Sequence, residues 1–176
     1  MRILSFSIAH DSSVCSLVDG EIEFFVKEER LSRVKRDMHP FKALELYKNL
    51  NLGPIDHILY NIPSNNQNKY EFLYSNYIEK TIGRQLENYS ELNHHNCHAS
   101  LAFYNSGFEK ALVVVIDRNG SIFFIDDNPV ARESESIFVC SYPDSITPIY
   151  KSFWLENAFK KDRSFINRTI KNFYPG

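Results

Sequence analysis

Apolar and polar side chains alternate over Met1 to Ile8, the pattern of a half-buried strand, and the segment from Arg2 to Lys27 breaks twice. The breaks leave Arg2 to Ala9, Ser13 to Val18 and Glu21 to Lys27 as three short strands. The second break is Asp19-Gly20, a dipeptide that accepts the left-handed backbone of a two-residue hairpin, so the chain is expected to open as an antiparallel meander. The period then changes. After Pro40, tolerated in a first helical turn, Phe41, Leu44, Leu46, Tyr47 and Leu50 recur at helical spacing until Gly53-Pro54 ends the run. His57 to Tyr60 reads as a strand, Pro63 to Lys69 as a polar loop and Tyr70 to Arg84 as a helix. Asn93 is a suitable N-cap for a further helix through His94, His98 and Phe103 to about Tyr104, with Gly107 beyond its end. Ala111 to Ile116 is a continuous β-branched apolar run, which predicts a strand buried on both faces and ending at Asp117. Strands at Ser121 to Ile125 and Ser136 to Cys140 follow, separated by Asp126-Asp127-Asn128-Pro129. The order predicts an α/β protein with a mixed sheet and flanking helices.

Composition narrows this picture only modestly. Of the 176 residues, 43% are hydrophobic and 24% charged, the balance of a globular chain, with a length suited to one core of ordinary size. A net charge of -2 carries no polycation signature, which argues against nucleic acid as a partner. The basic stretch from Lys160 to Lys171 reads more simply as a solvated face. Cys15, Cys97 and Cys140 are odd in number and widely spaced, which favours a reducing compartment over a disulfide framework. With no apolar run of signal or spanning length, the expected location is cytoplasmic, and the sequon at Asn167 is expected to be chance.

The strongest chemical signal is His94-His95-Asn96-Cys97-His98. On a helix capped by Asn93, His94 and His98 share one face and can share one metal ion; the plain alternative is a polar helix face. Asp117, at the tip of the apolar strand, is the natural third ligand, because ligands gather at such strand ends. Two histidines and a carboxylate suit divalent iron or zinc, with iron the first expectation. A zinc-protease motif would place Glu beside the first histidine as general base, whereas His95 stands there. His95 itself is turned about 100° from His94 and is expected outside the metal shell or at the surface.

Two other segments carry candidates. In the turn His10-Asp11-Ser12-Ser13, short polar side chains can simply bond nearby amides, or the turn can hold an anion while His10 or Asp11 accepts a proton. The run Glu28 to Asp37 reads as a solvated loop, with a phosphate contact by Arg33, Lys35 and Arg36 as the alternative. Cys97, without an activating partner, reads as a small buried residue.

Together these pieces resemble the O-carbamoyltransferases of nodulation-factor and antibiotic tailoring. Ile8-Ala9-His10-Asp11-Ser12-Ser13 with Val18-Asp19-Gly20-Glu21-Ile22 looks like that family's opening hairpin. Glu28 to Lys35 looks like its next signature, and His94-His95-x-x-His98-Ala99 with Ala102-Phe103-Tyr104-x-Ser106-Gly107-Phe108 looks like its metal helix. The resemblance implies an actin-like ATPase fold (ribonuclease H-like). It implies carbamoyl transfer from carbamoyl phosphate, through an ATP-dependent carbamoyl-adenylate, to the hydroxyl of a small molecule. His94, His98 and Asp117 would be metal ligands, joined by an aspartate from a later segment. His10 and Asp11 match the transfer centre, with Ser12, Ser13, Arg33, Lys35 and Arg118 toward substrate or phosphate. Family members usually carry Gly where this chain has Arg118, which would crowd a phosphate or supply charge to one.

Members of that family are much longer, and a second domain makes the adenylate. Residues 1–176 are therefore expected to be the N-terminal part of an incomplete actin-like domain, with a first lobe to about 110 and a following strand segment over 111–176. Catalysis would need the C-terminal half, possibly separately encoded. An actin-like domain cut in mid-core exposes apolar faces, so the chain is expected to be oligomeric or sticky, with Phe153, Trp154 and Phe159 seeking a partner. Two alternatives stand beside the carbamoyltransferase: a metal- or partner-binding fragment without catalysis, and a protein like the tRNA threonylcarbamoyl transferase, which shares the fold and a similar histidine pair.

Overall fold

The computed structural model describes residues 1–61, 76, 77, 79–81, 89–118, 120–124 and 130–155. By contacts the chain divides into two compact units, Met1–Leu92 and Asn93–Gly176. In the first unit the meander forms as β1 (Arg2–Ser7), β2 (Ser13–Val18) and β3 (Glu21–Lys27). Asp19 and Gly20 both take positive φ, 51° and 91°, so the two-residue hairpin has the expected left-handed turn. Two short helices, α1 (Glu28–Ser32) and α2 (Phe41–Leu50), lead to β4 (His57–Asn61), which returns parallel to β1; β5 (Tyr89–Glu91) adds parallel to β4. The sheet order is β3-β2-β1-β4-β5. This is a mixed α/β architecture.

Alternation puts Leu4, Phe6 and Val14 on the inner face of this sheet, against Ala43, Leu44 and Tyr47 of α2 and Ile58 of β4. Each such large apolar side chain contributes about 1.5–3 kcal/mol when fully buried. The segment Glu28 to Asp37 departs from a solvated loop at its start. Glu28 is buried, and its carboxylate accepts the N–H groups of Lys42 (3.0 Å) and Ala43 (2.8 Å). These are free donors of the first turn of α2, whose N-cap is Pro40 and offers no side-chain acceptor. A carboxylate from the preceding helix does the capping instead, favoured also by the helix dipole. Arg33, Val34, Lys35 and Arg36 are exposed, as a solvated run would be.

In the second unit α3 (His94–Ser106) is capped at its start by Asn93, whose side chain accepts the Asn96 N–H, and at its end by Gly107 with φ 76°. Strands β6 (Lys110–Ile116), β7 (Ile122–Phe124), β8 (Val130–Ser141) and β9 (Ser145–Leu155) follow. The long β8 pairs antiparallel with β6, β7 and β9. The apolar run of β6 is not buried on both faces: Val113 and Val115 pack with Ala99, Phe103, Phe138 and Cys140, whereas Leu112, Val114 and Ile116 are 62%, 55% and 77% exposed. An antiparallel sheet with a helix on one side leaves its other side open. Phe153, expected to seek a partner, is instead buried in this unit. β9 was not foreseen, because Pro148, Lys151 and Ser152 interrupt its apolar pattern.

The loop expected over Pro63 to Lys69, the turn Asp126 to Pro129 and the tail with Phe159 and Lys160 to Lys171 lie outside the described residues. Of the helix expected over Tyr70 to Arg84, the described residues 76, 77 and 79–81 are helical. No helix among the described residues is long and apolar enough to cross a membrane.

Candidate metal centre

The stripe His95, Ala99 and Phe103 is buried against β6 and β8, and this sets the rotation of α3. The neighbouring stripe, His94 and His98, is thereby left at the helix rim. Asp117 follows β6, and its backbone N–H continues the ladder to the Ser134 carbonyl at 2.8 Å. Its Oδ1 accepts the Arg118 N–H at 2.6 Å, so Oδ2 is the oxygen turned to the histidines. His94 Nε2 lies 2.8 Å and His98 Nε2 3.8 Å from that oxygen, and the two imidazole nitrogens are 3.1 Å apart. All three candidate ligand atoms fall within 4.8 Å of one another.

Ligands held about 2.1 Å from one ion at tetrahedral or octahedral angles lie roughly 3.0–3.4 Å from each other. The separations found here bracket that value, so the donor set fits a divalent cation by both distance and chemistry. The trio is half-exposed, which leaves open positions on the solvent side. Burial, followed by repulsion from His94, holds the His98 imidazole below its ordinary pKa, so at neutral pH it presents a lone pair.

Beneath the trio lies a buried polar network that the sequence did not announce. His95 is fully buried rather than at the surface, and its Nδ1 lies 2.8 Å from Ser136 Oγ. Ser136 donates its proton to Glu133 Oε1 at 2.8 Å, and Lys151 Nζ bonds the same oxygen. Since the hydroxyl has one proton, it must accept from His95 Nδ1–H, leaving Nε2 unprotonated. That nitrogen has no hydrogen-bond partner among the described residues, and a Cβ on Gly120 would stand 2.5 Å from it. Glycine is required there for close approach. Burial pushes the His95 pKa down to about 4, against the pull of Glu133, so the ring is neutral. Cys97 is half-buried and burial raises its thiol pKa, which suits a packing residue rather than a nucleophile.

The remaining candidates other than Arg118 belong to the first unit. Asp11 takes φ 66° in the link between β1 and β2, and its Oδ2 is 3.1 Å from His10 Nδ1. That bond, then Lys27 and the weaker pull of Arg36, lowers the Asp11 pKa despite some desolvation. His10 is exposed, whereas Ser12 is buried with no partner for its hydroxyl among the described residues. The Ser12 backbone joins this turn to the charged segment: its N–H donates to the Asp37 carbonyl (3.2 Å) and its carbonyl accepts from Glu28 N–H (2.9 Å). Ser13 Oγ lies 3.2 Å from Ser7 Oγ. Arg33 serves as the left-handed C-cap of α1, φ 63°, and with Lys35 is exposed. In the second unit Arg118 is exposed beside Asp117.

No family model and no curated protein matches this sequence. The site therefore stands on its geometry. In the sequence, Glu133 and Ser136 are hidden within the polar run Arg132 to Ser136, and Ser121 and Lys151 are single polar residues beside apolar ones, so all four look like solvent-facing positions.

Proposed function

We propose that this chain supplies the metal-binding part of an O-carbamoyltransferase with an actin-like fold, acting on carbamoyl phosphate and a hydroxylated small molecule. The observation that carries the proposal is the convergence of His94 Nε2, His98 Nε2 and Asp117 Oδ2 within 4.8 Å at the junction of α3 and β6. The order β3-β2-β1-β4-β5, an antiparallel meander continued by parallel strands, supports the actin-like assignment. The motif resemblance of His10 to Ser13, Glu28 to Lys35 and His94 to Phe108 supports the chemistry.

A divalent ion held by the trio, iron before zinc, would supply positive charge to stabilise negative charge developing on acyl or phosphate oxygens. In the first unit, Asp11 accepts from His10 Nδ1–H, which leaves Nε2 to take the proton of the acceptor alcohol as its oxygen attacks the carbamoyl carbon and the adenylate phosphate departs. In the first unit, exposed Arg33 and Lys35 offer cationic groups to phosphate. ATP belongs to the full reaction that the resemblance implies.

The first test is metal content of the purified chain beside His94→Ala and His98→Ala. The wild type is expected to retain iron or zinc and both variants to lose most of it; equal content in all three removes the site. The second is a thermal-shift titration of the metal-loaded chain with carbamoyl phosphate or ATP, where binding raises the melting temperature and Arg33→Ala/Lys35→Ala weakens the rise. Metal retention with no shift from either compound would favour a metal- or partner-binding chain without catalysis. The open face of Leu112, Val114 and Ile116 is the observation on that side.

A further inference from the structure

We propose that Ser121 and Glu133 are positioning residues of the metal centre, locking the first turn of α3 so that His94 faces Asp117. The inference rests on the metal assignment above. His94 is the first residue of its helix, where the backbone N–H groups have no intrahelical acceptor and ends fray. A ligand at that place is poorly fixed by the helix alone. His98, a full turn further in, is held by the helix itself.

The lock is visible in the hydrogen bonds. Ser121 Oγ accepts the His94 N–H at 3.0 Å and the Asn93 Nδ2–H at 2.9 Å. Asn93 Oδ1 accepts the Asn96 N–H at 3.0 Å, which fixes the amide orientation and makes Nδ2 the donor toward both Ser121 and Glu133 Oε2, the latter at 3.4 Å. Glu133 is fully buried, and its other oxygen is engaged by Lys151 and Ser136. The Lys151 ammonium makes the buried carboxylate tolerable, since an unpaired charge there would be costly. A carboxylate beside the N-cap also favours the helix dipole. Ser121 is itself tied to β8 through Glu133: the Glu133 N–H donates to the Ser121 carbonyl at 3.0 Å. The helix start, the segment after Asp117 and the centre of β8 are thus joined through one hydroxyl and one carboxylate, neither of which touches the proposed ion.

The test is titration of the full chain with cobalt(II), followed by its visible absorption, because band intensity and position report the geometry of the ligands. Ser121→Ala is expected to weaken cobalt binding about tenfold or more, the usual effect of removing a group that orients a metal ligand, and to alter the spectrum. Ser121→Thr, which restores the hydroxyl, is expected to recover most of both. Because Glu133→Gln alone takes the carboxylate charge away from the buried Lys151 ammonium, the paired variant Glu133→Gln/Lys151→Met is the second probe and is expected to resemble Ser121→Ala. Wild-type affinity and spectrum in Ser121→Ala and in the paired variant would overturn the proposal, as would a loss that Ser121→Thr fails to recover. A wild type that binds no cobalt would instead overturn the metal assignment itself.

Discussion

Glu28 does work that its neighbours in sequence conceal. In a run of charged residues it is the one whose carboxylate turns inward, accepting two N–H groups at the start of α2. Pro40 precedes that helix without a capping side chain, so removing the carboxylate leaves two backbone donors without an acceptor. Glu28→Ala is expected to lower stability by about 2 kcal/mol in urea unfolding, the range for hydrogen bonds to a buried charged acceptor. Lys35→Ala, an exposed position of the same run, is by contrast expected to stay within about 0.5 kcal/mol, like most changes away from such features. A similar result for both variants would mean that the cap is not what holds α2. His94, His98 and Asp117 show the opposite case. Their spacing and residue types were informative because the N-cap Asn93 and the strand end at Asp117 fixed where each side chain would start.

At the level of elements, β6 and α3 explain each other. Both present one buried stripe, Val113 and Val115 on the strand, His95, Ala99 and Phe103 on the helix. Their packing places the His94 and His98 stripe at the helix rim. An unbroken apolar sequence cannot tell a strand buried on two faces from one with a bare side, because the difference lies in what covers it. The two faces should therefore respond differently to substitution. Phe138→Ala, within the covered side, is expected to cost about 3–5 kcal/mol. Ile116→Thr, on the open side, is expected to change stability by no more than about 0.5 kcal/mol. Hydrophobic-dye fluorescence of the folded chain gives an independent check: it should fall in Val114→Lys/Ile116→Lys. Comparable destabilisation by Phe138→Ala and Ile116→Thr would mean that the open side is covered in solution.

For the whole molecule, the buried network makes stability depend on pH. The His95 pKa is about 4 in the folded chain, lowered chiefly by burial, against an ordinary imidazole value of about 6.5 when unfolded. Above about 6.5 both states are neutral at this residue, and the burial of the neutral ring is fully tolerated. As pH falls from about 6.5 toward about 4 the unfolded chain takes up the proton first, so stability declines, by at most about 1.4 kcal/mol per pH unit, and then levels off. Urea midpoints measured in chelator across that window should show the decline, and His95→Gln should lack it. An unchanged slope in His95→Gln would assign the effect to other groups.

Local rules made much of this chain legible. The Asp19-Gly20 hairpin, the strands β2 and β3, the α2 pattern from Phe41 to Leu50, the Asn93 cap and the Gly107 stop are each set by backbone preferences and near neighbours, which act within a few residues. Residue identity and order also nominated His94, His98 and Asp117. Only the tertiary structure could decide which side of β6 is covered, that Glu28 is inside, that Phe153 is core, and that His95, Glu133, Ser136 and Lys151 meet. Those outcomes depend on partners distant in sequence, because burial and charge pairing are properties of a place in the folded chain.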